Sequence, residues 1–368
     1  MDATHYIEFK RTACHAAIAF VVILAALSAA AKVDAVHKTG VADKRPEVVR
    51  EQFLGNFENC SVQAEYSLKD GAVFKKGWGD YFFRLFLGYS PKNGGWNRWE
   101  FLQVFAKTEK GLVNVLEKFR PVTFAGYSAG GADFLAAEWE TSDGKRLKLR
   151  FAVFPSHRDW LFLRVEFSDI PVVRVCFSAY PGNAAAQEGR ERHLATKERD
   201  WHLNVEGADF APVSPLMLLY SRYFDDRFGN KLVFEPSQSE RIRCSRTSVG
   251  VMVQFMPAKG AEAETFALGY FAHKSPDDQL TRFLGEDGDA IYDFMKAINW
   301  DAEPKSDDFK ASVRIALSMG VDKATLNGIA RRYLSAAKER DIATISKCAA
   351  EVEELRRNRV RDGLSEFR

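Results

Sequence analysis

Aromatic and charged side chains occur close together at several places along the middle of this chain. Sugar rings stack their apolar faces on aromatic rings, whereas Arg, Asp and His bind hydroxyl groups. A concave sheet face that gathers such residues predicts a saccharide site. The residues predicted to contact the saccharide are Trp96, Arg98, Trp99, His157, Arg158, Trp160, Trp201, His202, Tyr220 and Arg222. The alternative for each tryptophan is a place in the core, and for each charged neighbour a turn or a rim.

A glycine-rich motif suggests a different chemistry. Residues 126–131 read Gly-Tyr-Ser-Ala-Gly-Gly, which resembles the GxSxG nucleophile elbow of α/β-hydrolase esterases. In that family a serine, an acid and a histidine follow one another along the chain, and the resemblance implies Ser128, Asp225 (or its neighbour Asp226) and His273 for these roles. The elbow needs a strand-to-helix turn, whereas the residues after the motif read as strand and hairpin. A glycine-rich β-turn is therefore the competing interpretation.

Metal, nucleotide and cofactor chemistry have no clear pattern in the sequence. His193 and His202, with Glu206, lack a tight ligand spacing, and no zinc-protease, P-loop or dinucleotide motif occurs. The sequence therefore predicts no metal and no cofactor.

Glu138 and Glu140 lie two residues apart, so a strand would place both on one face, as glycoside hydrolysis requires of paired carboxylates. A solvated strand face explains this pair more simply.

The N-terminus has the features of a secretory signal peptide. Lys10 and Arg11 precede an uncharged, largely apolar run over residues 16–31, which ends in small residues. The run is shorter than the roughly 20 residues that span a bilayer. We therefore expect removal of residues 1–31 and a secreted or periplasmic protein. An uncleaved segment would be the sole membrane contact.

The charge distribution narrows the classes of partner that the chain could bind. The 52 basic and 50 acidic residues are interspersed and give a net charge of +2, so no nucleic-acid partner is expected.

Four cysteines follow the expected cleavage point, at positions 60, 176, 244 and 348. An oxidising compartment permits disulfides, but the spacing does not resemble a disulfide framework and leaves the pairing open.

Short runs with a two-residue period predict antiparallel strands. Arg146, Lys148 and Arg150 alternate with apolar residues after a Ser-Asp-Gly-Lys turn, which places charges on one face and apolar groups on the other. Similar runs continue to residue 271 without intervening helices, which favours a large two-sheet β-sandwich. The predicted fold class is mainly β, with an α-helical segment at the C-terminus.

The predicted organisation has four parts. Residues 1–31 form the signal peptide, 32–52 a linker, 53–274 the β-sandwich and 275–368 the helical segment. An apolar stripe at three- and four-residue steps on the last helix must pack on another surface. The preceding helix is the expected surface, and a homodimer through these C-terminal helices is the alternative.

Together, the leader, the strand pattern over residues 132–180 and the helical end resemble the galactose mutarotase-like supersandwich domains of exported carbohydrate-active proteins. The resemblance lies in architecture and carries no catalytic residue to this chain. It implies a two-sheet sandwich and a protein that binds or processes carbohydrate. A serine hydrolase using Ser128 and a non-catalytic envelope interaction protein are the alternatives.

Overall fold

The structure is a computed structural model with twenty strands and five α-helices among the residues that it describes. Those residues are 33–42, 45–73, 83–89, 97–108, 111–180, 191–222, 228–247, 250–272, 274–302, 306–339, 341, 344–345, 347–352, 354–355 and 358. The first ten strands are β1 Asp34–Ala42, β2 Arg45–Asn56, β3 Cys60–Lys69, β4 Ala72–Val73, β5 Phe83–Tyr89, β6 Asn97–Thr108, β7 Gly111–Asn114, β8 Pro121–Ala129, β9 Ala132–Glu140 and β10 Arg146–Val153. The remaining strands are β11 Trp160–Glu166, β12 Val172–Tyr180, β13 Glu191–Ala195, β14 Asp200–His202, β15 Ala208–Phe210, β16 Leu216–Arg222, β17 Phe228–Phe234, β18 Ser239–Arg246, β19 Val251–Pro257 and β20 Ala263–Ala272.

The helices are concentrated after the last strand. A short helix, α1 Val115–Lys118, lies among the strands, and two single 3-10 turns cover Pro155–His157 and Pro236–Gln238. The C-terminal helices are α2 Pro276–Arg282, a π-helical turn Phe283–Asp287, α3 Gly288–Lys296, α4 Ser306–Ser318 and α5 Lys323–Glu339. Residues 344–345, 347–352 and 354–355 are also helical. None of the helices described is long and apolar enough to cross a bilayer.

All described strand pairings are antiparallel and form two sheets. The eleven-stranded sheet has the order β1-β2-β3-β5-β6-β12-β19-β18-β15, with β4 beside β3 and β7 beside β6. The nine-stranded sheet has the order β14-β13-β16-β17-β20-β11-β10-β9-β8. The mainly β, two-sheet sandwich predicted from the sequence is thus confirmed, as is the helical C-terminal segment.

Alternating apolar residues of both sheets fill the space between them. In β3, for example, every second residue from Cys60 to Leu68 is buried, as expected for a strand with one face on a core. Tryptophan side chains connect the two sheets. Trp99 of β6 donates a hydrogen bond from Nε1 to the backbone oxygen of Gly269 in β20, at 2.8 Å. Trp139 of β9 donates to the hydroxyl of Tyr66 in β3, at 2.9 Å.

The nine-stranded sheet is also covered on its other face. Side chains from β16, β20 and β11 form a second apolar cluster with residues of α2, the π-helical turn and α3. Phe283 and Met295 are almost completely buried there. This cover explains why β16 contains an unbroken run of buried residues from Leu216 to Ser221 instead of alternating ones.

The last helices form a third apolar cluster. Ile345 and Val352 pack with Leu326, Ile329 and Tyr333 of α5, which confirms that the C-terminal stripe packs on the preceding helix. Leu334, on the same helix, is instead 54% exposed. The possible homodimer stays a prediction.

The segment expected to be a linker over residues 32–52 contains strand structure. Asp34–Ala42 and Arg45–Asn56 form β1 and β2, and β2 pairs with β3. The strand pattern is hard to recognise in the sequence because a charged residue occupies a buried position. Glu51 is buried and accepts a hydrogen bond from Arg120 Nη1 at 2.9 Å.

Cys60, Cys176, Cys244 and Cys348 are buried and free of disulfides. Burial raises the pKa of the Cys60 and Cys176 thiols to about 12, which keeps both protonated near neutral pH. They therefore act as small apolar residues of the core.

Candidate functional site

Strands β14, β13 and β16 meet at one edge of the nine-stranded sheet and bring together five polar or aromatic residues. We call this set, Glu191, His193, Asp200, His202 and Tyr220, the histidine corner. In the sheet register His193 lies directly opposite His202 on one side and Tyr220 on the other. Glu191 and Asp200 each lie two positions before a histidine on its strand, so all five point to the same face.

Three rings of the histidine corner are stacked in a row across the three strands. The His193 and His202 ring centroids are 4.9 Å apart with an interplanar angle of 2°. The His193 and Tyr220 centroids are also 4.9 Å apart, at 19°. Tyr220 is fully buried, His193 is 9% exposed and His202, on the edge strand, is half-buried. The stack therefore fixes the orientation of His193, whereas His202 at the edge of the sheet keeps partial exposure to solvent.

Asp200 connects the rings by hydrogen bonds. Its Oδ1 lies 3.2 Å from His193 Nδ1, and its Oδ2 accepts a hydrogen bond from the Tyr220 hydroxyl. Burial would raise the pKa of the Asp200 carboxyl, but the hydrogen bonds from His193 and Tyr220 outweigh it and hold the pKa below its usual value. Burial and the bond to Asp200 raise the pKa of Tyr220. An ionised Asp200 only accepts hydrogen bonds, so His193 donates from Nδ1.

The opposite nitrogens of the two histidines form no hydrogen bond within the part of the chain that the structure describes. The Nε2 atoms of His193 and His202 are buried and have no hydrogen-bond partner among the residues that the structure describes. Glu191 Oε2 lies 3.5 Å from His193 Nε2. One ligand atom from each of Glu191, His193 and His202 lies within 4.8 Å of the others. Three groups with available lone pairs thus converge on one small region.

Arg222 borders the histidine corner. Its guanidinium lies 5.2 Å from the centre of the Tyr220 ring and donates a hydrogen bond to Asp277 of α2 at 2.7 Å. This hydrogen bond raises the pKa of Arg222. The side chain is 42% exposed, so its remaining N–H groups can reach a ligand at the corner.

The other predicted saccharide-site residues whose side chains the structure describes lie outside this group. Trp99 and Trp201 are buried in the core between the sheets, and Trp201 stacks on Phe210. Trp160 is 9% exposed and lies against Phe283 under the helical cover. Trp96 lies outside the described residues, and only the backbone of Arg98 is described, in β6.

His157 and Arg158 lie near one another but away from the histidine corner. The His157 ring packs against Phe294 of α3 with centroids 4.0 Å apart, and partial burial lowers its pKa. Arg158 is exposed and forms an ion pair with Glu58 at 3.2 Å. Four strand steps in the nine-stranded sheet separate β11, which follows Arg158, from β13. Among the predicted residues whose side chains the structure describes, His202, Tyr220 and Arg222 are therefore the ones that it brings together.

The serine of the glycine-rich motif lies in a β-hairpin. Ser128 is near the end of β8, and β9 follows directly after Gly130 and Gly131, whose φ angles are +58° and +80°. Such positive φ values suit glycine in a tight hairpin turn. Ser128 Oγ donates to Asp133 Oδ1 at 2.6 Å, across the same hairpin. The strand-to-helix elbow is therefore missing at this serine, while Asp225 and His273 lie outside the described residues.

Glu138 and Glu140 lie on the outer face of β9 in a ladder of cross-strand ion pairs. Glu140 faces Arg146 at 3.3 Å, and Glu138 faces Lys148 at 3.7 Å. These contacts match the solvated strand face considered from the sequence.

Two members of the histidine corner, Glu191 and Asp200, were missed in the sequence. The available signal was a pair of short patterns, Glu-x-His at 191–193 and Asp-x-His at 200–202. On paired strands these patterns place both acids and both histidines on one face. The prediction had considered Glu206 with the histidines, but Glu206 pairs with Arg199 at 2.6 Å.

No family model matches this sequence, and no curated protein shows significant similarity to it. Among solved structures, a putative aldose 1-epimerase from Klebsiella pneumoniae is similar over 73% of this chain and 90% of its own, with 9% identity and a TM-score of 0.38. A mutant of the heparan sulfate lyase HepC from Pedobacter heparinus is similar over 67% of this chain, with 9% identity and a TM-score of 0.24. This chain matches 36% of the length of that lyase.

Proposed function

We propose that this chain is an exported protein that binds or processes a saccharide at the histidine corner. The observation that carries the proposal is the convergence of His202, Tyr220 and Arg222, three residues predicted from the sequence. They lie beside two imidazole nitrogens that have no hydrogen-bond partner among the described residues. Export is supported by Lys10, Arg11 and the apolar run over residues 16–31.

The chemistry of the corner suits a hydroxyl-rich ligand. Each sugar hydroxyl both donates and accepts hydrogen bonds, and the corner offers N–H donors on Arg222 and acceptors on Glu191 and His193. The outer ring of the stack, His202, is half-buried, so it offers a flat face to the apolar side of a sugar ring. A specific ligand would thus be held by directional bonds and ring packing together.

The same geometry supports proton transfer to or from a bound saccharide. A His193 that donates from Nδ1 to Asp200 keeps its Nε2 lone pair free. An imidazole positioned in this way by a carboxylate serves as a general base when a substrate proton lies within hydrogen-bond reach. Processing of the saccharide therefore remains within the proposal alongside binding.

The test is a glycan array followed by calorimetry with the best glycan, both in buffer containing EDTA. We expect Arg222→Gln and His202→Gln each to weaken binding at least about tenfold, because each removes a hydrogen bond or ring contact worth about 1.4 kcal/mol or more. Arg158→Gln is the matched control, since Arg158 is an exposed arginine with its own ion pair away from the corner. We expect this control to bind normally.

Two results would contradict the proposal. One is a wild-type chain that captures no glycan on the array. The other is a captured glycan whose affinity is unchanged in both corner variants.

A further inference from the structure

We propose that Glu191, His193 and His202 form a binding site for a first-row divalent metal ion of the Zn²⁺ class. The proposal goes beyond saccharide binding and does not depend on it. Their three ligand atoms lie within 4.8 Å of one another. Two imidazole nitrogens and one carboxylate oxygen are a donor set that proteins use for zinc and for similar transition metals.

The protonation pattern of His193 favours metal binding. Its Nδ1 faces Asp200 Oδ1 at 3.2 Å, and the same carboxylate accepts the Tyr220 hydroxyl. Metal-bound histidines commonly donate their second ring N–H to a carboxylate, which fixes the tautomer and strengthens the ligand nitrogen. Asp200 and Tyr220 are arranged to support His193 in this way, and they leave Nε2 as a lone-pair donor.

Burial gives a second and independent indication. The Nε2 atoms of His193 and His202 are both buried without a hydrogen-bond partner among the described residues, and His193 as a whole is only 9% exposed. A buried polar atom left unpaired costs about 1–3 kcal/mol. A cation between the two nitrogens would offset this cost for both side chains at once.

The required movement is small. With metal–nitrogen distances of about 2.1 Å, tetrahedral geometry places ligand atoms about 3.4 Å apart. Glu191 Oε2 and His193 Nε2 are already at 3.5 Å. The two imidazole rings are parallel with centroids 4.9 Å apart, so they need to tilt toward each other at their Nε2 ends. His202 lies on the edge strand β14, where such a tilt meets little resistance.

Three protein ligands leave a fourth position for a water molecule or another oxygen ligand. Both histidine Nε2 atoms are buried and Glu191 is exposed, so this position would be reached from the Glu191 side. A hydroxyl of a bound molecule could occupy it. The site therefore has the open coordination position of a catalytic metal site, whereas structural metal sites have four protein ligands.

The experiment is calorimetric titration of the full chain, stripped with EDTA, with Zn²⁺ alone and no saccharide. We expect one tight Zn²⁺ per chain, and we expect His202→Gln to weaken its binding at least about 100-fold. Asp200→Asn keeps all three ligands but should weaken binding about 10- to 100-fold, because His193 loses its orienting carboxylate. His157→Gln, which changes a half-buried histidine outside the corner, should bind Zn²⁺ like the unmodified chain.

A Co²⁺ titration gives a readout besides affinity. Four-coordinate Co²⁺ absorbs visible light much more strongly than octahedral surface-bound Co²⁺, so an intense band that is lost in Glu191→Gln is expected. The absence of tight Zn²⁺ binding to the unmodified chain would overturn the proposal. Unchanged Zn²⁺ affinity in a folded His202→Gln variant would do the same. Since glycan binding is measured in EDTA and Zn²⁺ binding without glycan, failure of one proposal is distinguishable from failure of the other.

Discussion

Replacement of Trp99 by alanine is expected to lower the free energy of unfolding by about 3–5 kcal/mol, as for other large buried aromatic residues. The Trp99 side chain is fully buried, and its ring meets Phe177 edge to face with centroids 6.0 Å apart. Its Nε1 donates to the Gly269 backbone oxygen in the opposite sheet. The substitution therefore leaves a cavity between the sheets and an unpaired carbonyl.

Urea unfolding of three variants separates these effects. Trp99→Phe keeps most of the ring but loses the donor, so it should lose about 1–3 kcal/mol, the usual cost of one unpaired buried group. Val122→Ala changes a valine of β8 that is 60% exposed and should stay within about 0.5 kcal/mol of the unmodified chain. An unchanged stability of Trp99→Ala, combined with loss of glycan binding, would contradict the core position and favour the original saccharide role of this residue.

Replacement of Glu264 by glutamine is expected to remove a large part of the pH dependence of stability. Glu264 is 1% exposed and lies on the core side of β20, where Oε1 accepts a hydrogen bond from Ser239 at 2.8 Å. Burial raises its pKa to about 8 from the ordinary value of 4.5. The folded protein therefore retains a proton that the unfolded chain releases between these two values.

The sign follows from this difference in proton binding. Because the folded state binds more protons between pH 4.5 and about 8, stability is highest at the acidic end and falls as the pH rises. Glutamine cannot ionise but keeps the acceptor for Ser239, so the Glu264→Gln variant should gain at least about 2 kcal/mol relative to the unmodified chain by pH 9. Cys176, which interacts electrostatically with Glu264, stays neutral because burial raises its own pKa to about 12.

Free energies of unfolding measured at each pH unit from 5 to 9 provide the check. Glu262→Gln is the matched control, since Glu262 lies two residues earlier in the chain and is exposed. Its curve should follow that of the unmodified protein. Parallel curves for Glu264→Gln and the unmodified chain would show that the Glu264 carboxyl ionises normally. That result would contradict its burial in the core.

The fold was predictable where the periodicity was clean. The alternating charges of Arg146, Lys148 and Arg150 correctly predicted β10 and its neighbours, because a strand with one solvated face shows a two-residue period. The segment before residue 53 was not predictable in the same way. In β2, Glu51 occupies a buried position where the strand pattern calls for an apolar residue. It is stabilised by Arg120, which lies 69 positions away. A local pattern contains no information about such a distant partner.

The candidate site was predictable only in part, for a related reason. His202, Tyr220 and Arg222 were selected by residue type, but the aromatic criterion selected core tryptophans equally well. Trp99 is one of these, and it finds a hydrogen-bond acceptor inside the protein, so its polar atom gives no sign of exposure. Glu191 and Asp200 gain their roles from the register of β13, β14 and β16. That register is a property of the folded sheet.

The helical cover of the nine-stranded sheet determines where this chain could be shortened. Met217 and Leu219 point into the sandwich, whereas Leu216 and Leu218 point toward the segment that contains Phe283. A protein ending before residue 275 would keep its two sheets but expose the apolar outer face of the nine-stranded sheet to water. Large exposed apolar patches promote self-association. Residues 276–302 therefore shield the outer face of the nine-stranded sheet from water and limit self-association.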